Sequence, residues 1–123
     1  MKATGSFDIT LEPQAGESYP VGRMQIDKTY TGDLVGTWTG QMISKRTETG
    51  DAVYSAIEEF EGSIQGKSGG CTFFHIGRMS TAEQTLDITI VSGSGTGELV
   101  GIEGQLSINQ EQGSHHYELE YTL

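Results

Sequence analysis

Three ionisable residues, Lys28, Glu58 and His75, occupy positions that are otherwise apolar within stretches of alternating sequence. Because burying an unpaired charge is costly, each of them needs a partner. A carboxylate and an imidazole that meet in a low-dielectric interior form a general acid–base pair, with Glu58 polarising His75 or acting as the base itself. Glu58 and His75 are therefore the candidate catalytic residues; the alternative interpretations are a satisfied structural ion pair and strands that curl so that the polar tips reach the rim.

The sequence between Glu58 and His75 predicts a hairpin that brings the two side chains together. Its glycine-rich middle, residues 66–70, predicts the hairpin loop, either two residues long at Lys67 and Ser68 or four residues long around them, and both lengths give the same register. In that register Phe60 faces His75, and Glu58 lies on the diagonal from His75 on the same face of the sheet. A loop of odd length would place the two residues on opposite faces.

Further residues on the same predicted faces are candidate ligand contacts, and a small apolar ligand is the predicted partner. They are Lys28, Tyr30, Trp38, Tyr54, Phe60 and Phe73. The glycines on these faces, Gly36, Gly40, Gly62 and Gly77, predict open space where larger side chains would fill the interior. The leading hypothesis is a protein that binds an apolar or amphipathic small molecule inside its fold. The alternatives are an isomerase- or cyclase-type enzyme that uses Glu58 and His75, and a structural or assembly protein with a packed interior.

Metal, nucleotide and other cofactor sites are not predicted. His115 and His116 are adjacent on a strand, so their rings point to opposite faces and do not chelate one metal together. Cys71 and His75 share a face but lie about 13 Å apart along a strand, which is too far for one zinc ion without other ligands. The glycine-rich segment at residues 93–97 lacks the Lys-Ser/Thr ending of a phosphate-binding loop.

The elements that position these residues are about eight runs of alternating apolar and polar residues, separated by glycine-rich breaks. Eighteen glycines and an apolar share of 34% suit a twisted sheet with one wet face. The predicted fold is all-β, a small closed antiparallel barrel of about eight strands that forms one domain over residues 1–123. Two sheets packed as an open sandwich are the alternative, and short helical turns compete at residues 53–57 and 98–102. The residues predicted to be largely buried are Phe7, Ile9, Met24, Ile26, Trp38, Met42, Phe60, Phe73, Ile88, Ile90, Leu106 and Leu119.

Charge and composition predict a cytoplasmic protein without nucleic-acid or membrane partners. Seventeen acidic and seven basic residues give a formal charge of −10, which repels phosphate backbones and anionic membranes. Cys71 is the single cysteine of the sequence, so no intramolecular disulfide forms. The first residues lack the apolar core of a signal peptide, and no apolar run approaches the length of a membrane span.

Apolar residues on the faces predicted to be wet indicate self-association. Val35, Ile43, Phe74 and Ile76 would form outward patches on a barrel. Exposed apolar patches of this kind are typical of subunit interfaces, so we expect a homo-oligomer.

The chain also resembles a known family along its whole length. The residues that carry the resemblance are Met1 to Phe7, Gly22-Arg23-Met24 with Asp27-Lys28, Gly32-Asp33-Leu34, Gly40-Gln41-Met42, Tyr54 with Glu58, His75 with Gly77 and Met79, and Gly95 to Leu99. In these residues it resembles the bacterial domain-of-unknown-function family 3224, which implies no particular reaction.

A second, shorter resemblance lies in a glycine motif. Gly95-Thr96-Gly97 followed by Leu99 and Gly101 is similar to the motif of allene oxide cyclases and dirigent proteins. That similarity implies an eight-stranded barrel that handles apolar ligands, and it implies no catalytic residue in this chain.

Overall fold

The alternating runs form strands that close into a barrel. The structure, a computed structural model, describes residues 1–13, 21–111 and 114–123. Its strands are β1 (Lys2–Pro13), β2 (Gly22–Gly32), β3 (Leu34–Arg46), β4 (Ala52–Ile64), β5 (Lys67–Met79), β6 (Gln84–Ile90), β7 (Glu103–Glu111) and β8 (Ser114–Thr122). Each strand pairs antiparallel with the next, and β8 pairs with β1, so the sheet closes. The predicted eight-stranded antiparallel barrel is confirmed.

The hairpin between β4 and β5 turns two residues earlier than predicted. Its loop is Gln65 and Gly66, both with positive φ (47° and 85°), as a tight hairpin turn requires. Lys67 and Ser68 lie inside β5, so the predicted loop at these two residues is wrong. The left-handed Gln65 is held from outside the hairpin: its backbone N–H donates to a carbonyl of the β2–β3 turn, and its side-chain amide donates to a carbonyl of β1.

The inward-facing glycines do not leave the open space that the sequence predicted. Gly36 and Gly62 face each other across β3 and β4 with φ of 149° and 157°. A Cβ on either would lie 2.2 or 2.0 Å from a carbonyl oxygen of the neighbouring strand. A Cβ on Gly40 would lie 2.3 Å from a carbonyl oxygen, and the ring of Tyr54 already covers Gly77. These glycines permit close approach of backbone and side chains; they do not create a void.

One end of the barrel is plugged by the connection between β6 and β7. This connection contains a 3₁₀ turn at Gly97–Leu99, close to one of the two places where the sequence favoured a helical turn; residues 53–57, the other place, lie in β4. Leu99 and Ile102 are fully buried in the core. The backbone of Gly70 on β5 exchanges hydrogen bonds with Thr96, which holds the connection across the barrel end.

The core is a stack of aromatic rings across the barrel. Phe7 stacks on Tyr30 with 4.9 Å between ring centroids, Tyr30 on Trp38 at 4.6 Å, and Trp38 on Phe73 at 4.0 Å. Such offset aromatic contacts add to the free energy gained by burial alone.

Most residues predicted to be buried are in this core. Phe7, Ile26, Trp38, Phe60, Phe73, Ile88, Ile90, Leu106 and Leu119 are buried. Ile9, Met24 and Met42 face inward but remain partly exposed. The prediction that these three side chains are largely buried is therefore wrong. Met24 and Met42 pair with each other toward the end opposite the plug. No helix in the described part of the chain is long and apolar enough to cross a membrane.

Candidate functional site

The barrel end opposite the plug is lined by inward-facing side chains that are not fully buried. Met24 pairs with Met42 across β2 and β3. One step nearer the strand ends, Tyr54 on β4 pairs with Gly77 on β5, which in turn pairs with Leu86 on β6. Met24, Met42, Tyr54 and Leu86 are partly or substantially exposed, in contrast to the buried side chains deeper in the barrel. We call these four residues the barrel mouth.

The charged residues meet on the inward side of the mouth. Lys28 Nζ lies 3.1 Å from Glu58 Oε1 and 3.2 Å from Oε2. His75 Nε2 lies 3.5 Å from Glu58 Oε2. The three residues are 5%, 0% and 3% exposed. One carboxylate is therefore shared between an ammonium and an imidazole inside the barrel, and we call these three residues the charged cluster.

Strand register explains how three strands bring the cluster together. Glu58 lies opposite Phe73, so His75 is its diagonal neighbour on the same face of β5. Lys28 is on β2, with β3 between it and Glu58. The β3 residue opposite Glu58 is Gly40, and a Cβ there would lie 2.6 Å from Glu58 Cγ. The bare Cα of Gly40 thus leaves room for the glutamate side chain to reach across β3.

The cluster holds Glu58 in its ionised form. Burial by itself would raise the pKa of the Glu58 carboxyl, but the contact with His75 and the charge of Lys28 outweigh burial and lower the pKa below its ordinary range. Burial lowers the pKa of Lys28, and the neighbouring Glu58 carboxylate offsets this in part. Burial and the same carboxylate raise the pKa of Tyr54 to about 12 and also raise that of Tyr30. Both phenols are therefore neutral hydrogen-bond donors at physiological pH.

Aromatic rings surround the ammonium group. Lys28 Nζ lies 5.0 Å from the ring centroid of Trp38 and 5.2 Å from that of Phe7. The Trp38 ring meets His75 edge-on at 6.1 Å. Cation–π contacts of a desolvated ammonium add to the stability of the pair. The single tryptophan of the sequence therefore touches two members of the charged cluster.

Several buried polar atoms of this region have no hydrogen-bond partner among the described residues. They include Tyr30 Oη, Trp38 Nε1 and His75 Nε2. His75 Nε2 and Glu58 Oε2 are 3.5 Å apart, which is close enough for an ion pair but too long for a good hydrogen bond. Lys28 donates a hydrogen bond to Glu58 Oε2 and makes an ion-pair contact with Oε1 at 3.1 Å. Buried polar atoms are normally satisfied, so each of these atoms has capacity for one further hydrogen bond.

The predicted site residues occupy two levels of the barrel. Glu58 and His75 share the interior with Lys28, Tyr30, Trp38 and Phe73, as the contacts above show. Tyr54 lies at the mouth, and Phe60 is buried deeper and meets Trp38 edge-on at 6.1 Å. The described residues include no group of three His, Cys, Asp or Glu side chains close enough to hold a metal ion.

Sequence reasoning missed two members of the site, Phe7 and Gly40. Phe7 contributes a ring to Lys28, and Gly40 makes room for Glu58. The signal for Phe7 was available, because consecutive antiparallel strands usually pair. In the structure Ile9 of β1 lies opposite Lys28, so Phe7, two residues before Ile9, is the diagonal neighbour of Lys28 on the same face. The signal for Gly40 was misleading, because a glycine on an apolar face was interpreted as empty space.

Comparison with known proteins is consistent with the sequence resemblance. The profile of the DUF3224 family, described as a protein of unknown function, matches residues 3–121. A solved structure from Shewanella oneidensis MR-1, described as a protein of unknown function from the DUF3224 family, is 37% identical and superposes with a TM-score of 0.91. The match covers 99% of this chain and 96% of that one. No curated protein matches the chain. The likeness to allene oxide cyclases remains an interpretation of the glycine motif.

Proposed function

Since this chain belongs to the DUF3224 family of proteins of unknown function, we propose a function from its own site. The barrel binds a small apolar or amphipathic molecule at its mouth. The apolar part of the ligand contacts Met24, Met42 and Leu86, and its polar group points toward the charged cluster. The observation that carries this proposal is the partial exposure of inward-facing apolar side chains above a buried cluster of polar groups.

A small barrel either fills its interior with side chains or holds one ligand. In this barrel the two halves differ. The plugged half is filled by Leu99, Ile102 and the aromatic stack. In the other half, inward-facing side chains remain partly exposed. Small-molecule sites have the same character, because they combine an apolar lining with a few polar groups.

The polar atoms without partners favour a ligand that carries a hydrogen-bond acceptor. Trp38 Nε1–H is a donor only, and Tyr30 Oη is a neutral donor because its pKa is raised by burial. A carbonyl or carboxyl oxygen would satisfy such donors, whereas a purely apolar ligand would leave them unpaired.

The test uses medium-chain ligands and the single tryptophan as reporter. Trp38 fluorescence is followed during titration with 2-decanone, decanoate and decane, and native mass spectrometry of protein purified from its own host looks for a retained molecule. We expect saturable changes with 2-decanone or decanoate and weaker ones with decane. Met42→Arg at the mouth should abolish binding, while the adjacent outward-facing Gln41→Arg should retain it. No binding and no retained molecule would support a packed barrel instead.

A second candidate function is proton transfer at the same site, and the shared carboxylate favours it. Glu58 is ionised and lies between Lys28 and His75, while His75 Nε2 makes no hydrogen bond to a described residue. In such a pair His75 would accept a proton from the carbon next to a ligand carbonyl and Glu58 would orient and polarise the imidazole, as isomerases and cyclases use such pairs. NMR of 2-decanone in heavy water should then show exchange of the protons next to the carbonyl. Glu58→Gln should abolish this exchange, and Gln41→Arg on the outward face should keep it.

A further inference from the structure

The outer wall of the barrel carries a continuous apolar face on β3, β4 and β5. Its residues are Ile43, Val53, Ile57, Phe74 and Ile76, which we call the outer apolar face. Strand register makes them neighbours: Ile43 and Ile76 flank Ser55 on either side, and Phe74 lies beside Ile57. Four of the five side chains are 40–57% exposed. Val35, which the sequence grouped with them, lies toward the plugged end opposite Ser63 and is not part of this face.

Charge is distributed unequally at the two ends of this face. At the end nearer the mouth, Val53 lies between Lys45 and Arg78, so this row is basic. At the other end, the row formed by Thr39, Glu59 and Thr72 is acidic, and Thr72 Oγ1 donates a hydrogen bond to Glu59 at 2.8 Å. Along the strands the surface therefore changes from a basic row through two mainly apolar rows, which also contain Ser55 and Gln41, to an acidic row.

The two apolar rows also differ in shape. The row next to the basic end has the small Ser55 at its centre, and a depression of about 300 Å³ extends from this row over the basic row toward the barrel rim, with Ile43, Ser55, Ile76 and Arg78 in its lining. The next row has Ile57 at its centre, and this side chain is 57% exposed. One row is therefore concave and the adjacent row protrudes.

We propose that the outer apolar face is the interface of a homodimer in which β4 of one copy lies antiparallel over β4 of the other. The two-fold axis of this dimer lies in the interface, perpendicular to the strands, so the rows of one copy run in the opposite order to the rows of the other. The basic row with Arg78 then lies over Glu59 of the partner subunit, and Ser55 lies over the partner's Ile57. The same pairs form twice, as an isologous interface requires.

Charge complementarity favours a second copy of this chain as the partner that covers the outer apolar face. The chain carries a formal charge of −10, so two copies repel each other unless a basic surface of one meets an acidic surface of the other. The rows of this face provide that match when reversed. A partner of uniformly basic or acidic surface would meet a like charge at one end of the face, which is unfavourable.

The decisive test is a charge exchange followed by sedimentation velocity from micromolar to millimolar concentration. We expect the unaltered chain to sediment as a concentration-dependent dimer. Arg78→Glu and Glu59→Arg should each weaken dimerisation at least tenfold, and the combined R78E/E59R variant should restore it. Asp8→Arg on the exposed side of β1 changes net charge as much as Glu59→Arg does and should leave the dimer unchanged. Ile57→Ser should weaken dimerisation without altering Trp38 emission from the barrel interior.

A chain that remains monomeric at millimolar concentration would overturn the proposal. A dimer that persists in the Arg78→Glu, Glu59→Arg and Ile57→Ser variants would show that another surface is used. Failure of the combined charge exchange to restore the dimer, with circular dichroism unchanged, would overturn the antiparallel orientation.

Discussion

Gly40 on β3 lies directly opposite Glu58 on β4, and the glutamate side chain occupies the space that a Cβ on Gly40 would need. The distance from that Cβ position to Glu58 Cγ is 2.6 Å. This relationship lets a carboxylate on one strand reach an ammonium two strands away, with Lys28 Nζ at 3.1 Å. The buried ion pair thus depends on the absence of a side chain at a third position.

Gly40→Ala should destabilise the barrel and disturb the charged cluster. The new methyl group would lie 2.3 Å from the carbonyl oxygen of Ile57 as well as against Glu58. We expect a loss of about 1–3 kcal/mol in the free energy of unfolding, which urea denaturation measures. Gly22→Ala is the matched control, because its Cβ would meet only Ser44 at 3.1 Å or more and the side-chain oxygen there can move. Equal losses in both variants would contradict the role of Gly40.

Removing one partner of the buried pair should cost more than removing both. Glu58→Gln leaves the Lys28 ammonium buried without its counter-charge, and we expect a loss of about 3–5 kcal/mol. Lys28→Met should cost less, because Glu58 keeps its contact with His75. The K28M/E58Q double variant should be more stable than Glu58→Gln alone. Denaturation of all four proteins closes a double-mutant cycle, and additive losses would show that the pair is not coupled.

Acid should weaken the fold partly through Glu58. Its folded pKa lies below the ordinary value of 4.5, so the unfolded chain binds a proton more readily at this group than the folded chain does. The stabilisation from Glu58 is therefore complete above 4.5 and is lost as the pH falls through the lower folded pKa. The unfolding free energy of the unaltered protein should fall more steeply below this pH than that of Glu58→Gln. Parallel pH profiles would contradict the assignment.

Cys71 should react slowly with disulfide reagents while the barrel is folded. Burial, with the charges of Glu59 and Glu61, raises the pKa of the thiol to about 12, so little thiolate is present at neutral pH. The reaction rate with dithiobis(nitrobenzoate) should increase by orders of magnitude when guanidinium chloride unfolds the chain. The control for reagent access is the Thr37→Cys substitution, at an exposed position, in a Cys71→Ser background, and this cysteine should react rapidly. Rapid reaction of native Cys71 would indicate that the core opens readily.

The sequence by itself determined which residues face inward. Alternation has a period of two because successive side chains on a strand point to opposite faces, and this property is local to the strand. Glu58 and His75 were placed on one face even though the predicted loop was wrong. The true loop at Gln65 and Gly66 shifts the pairing by an even number of residues, and an even shift preserves the face.

Tertiary structure decided the register, the partners across non-adjacent strands and which end of the barrel is plugged. The register follows from the left-handed Gln65, which is held by contacts to the β2–β3 turn and β1 that are distant in sequence. The contact of Lys28 with Glu58 spans β3 and needs the close approach at Gly40. The plugged end follows from the packing of Leu99 and Ile102 into the barrel. None of these follows from alternation, because each depends on how distant parts of the chain fill one shared volume.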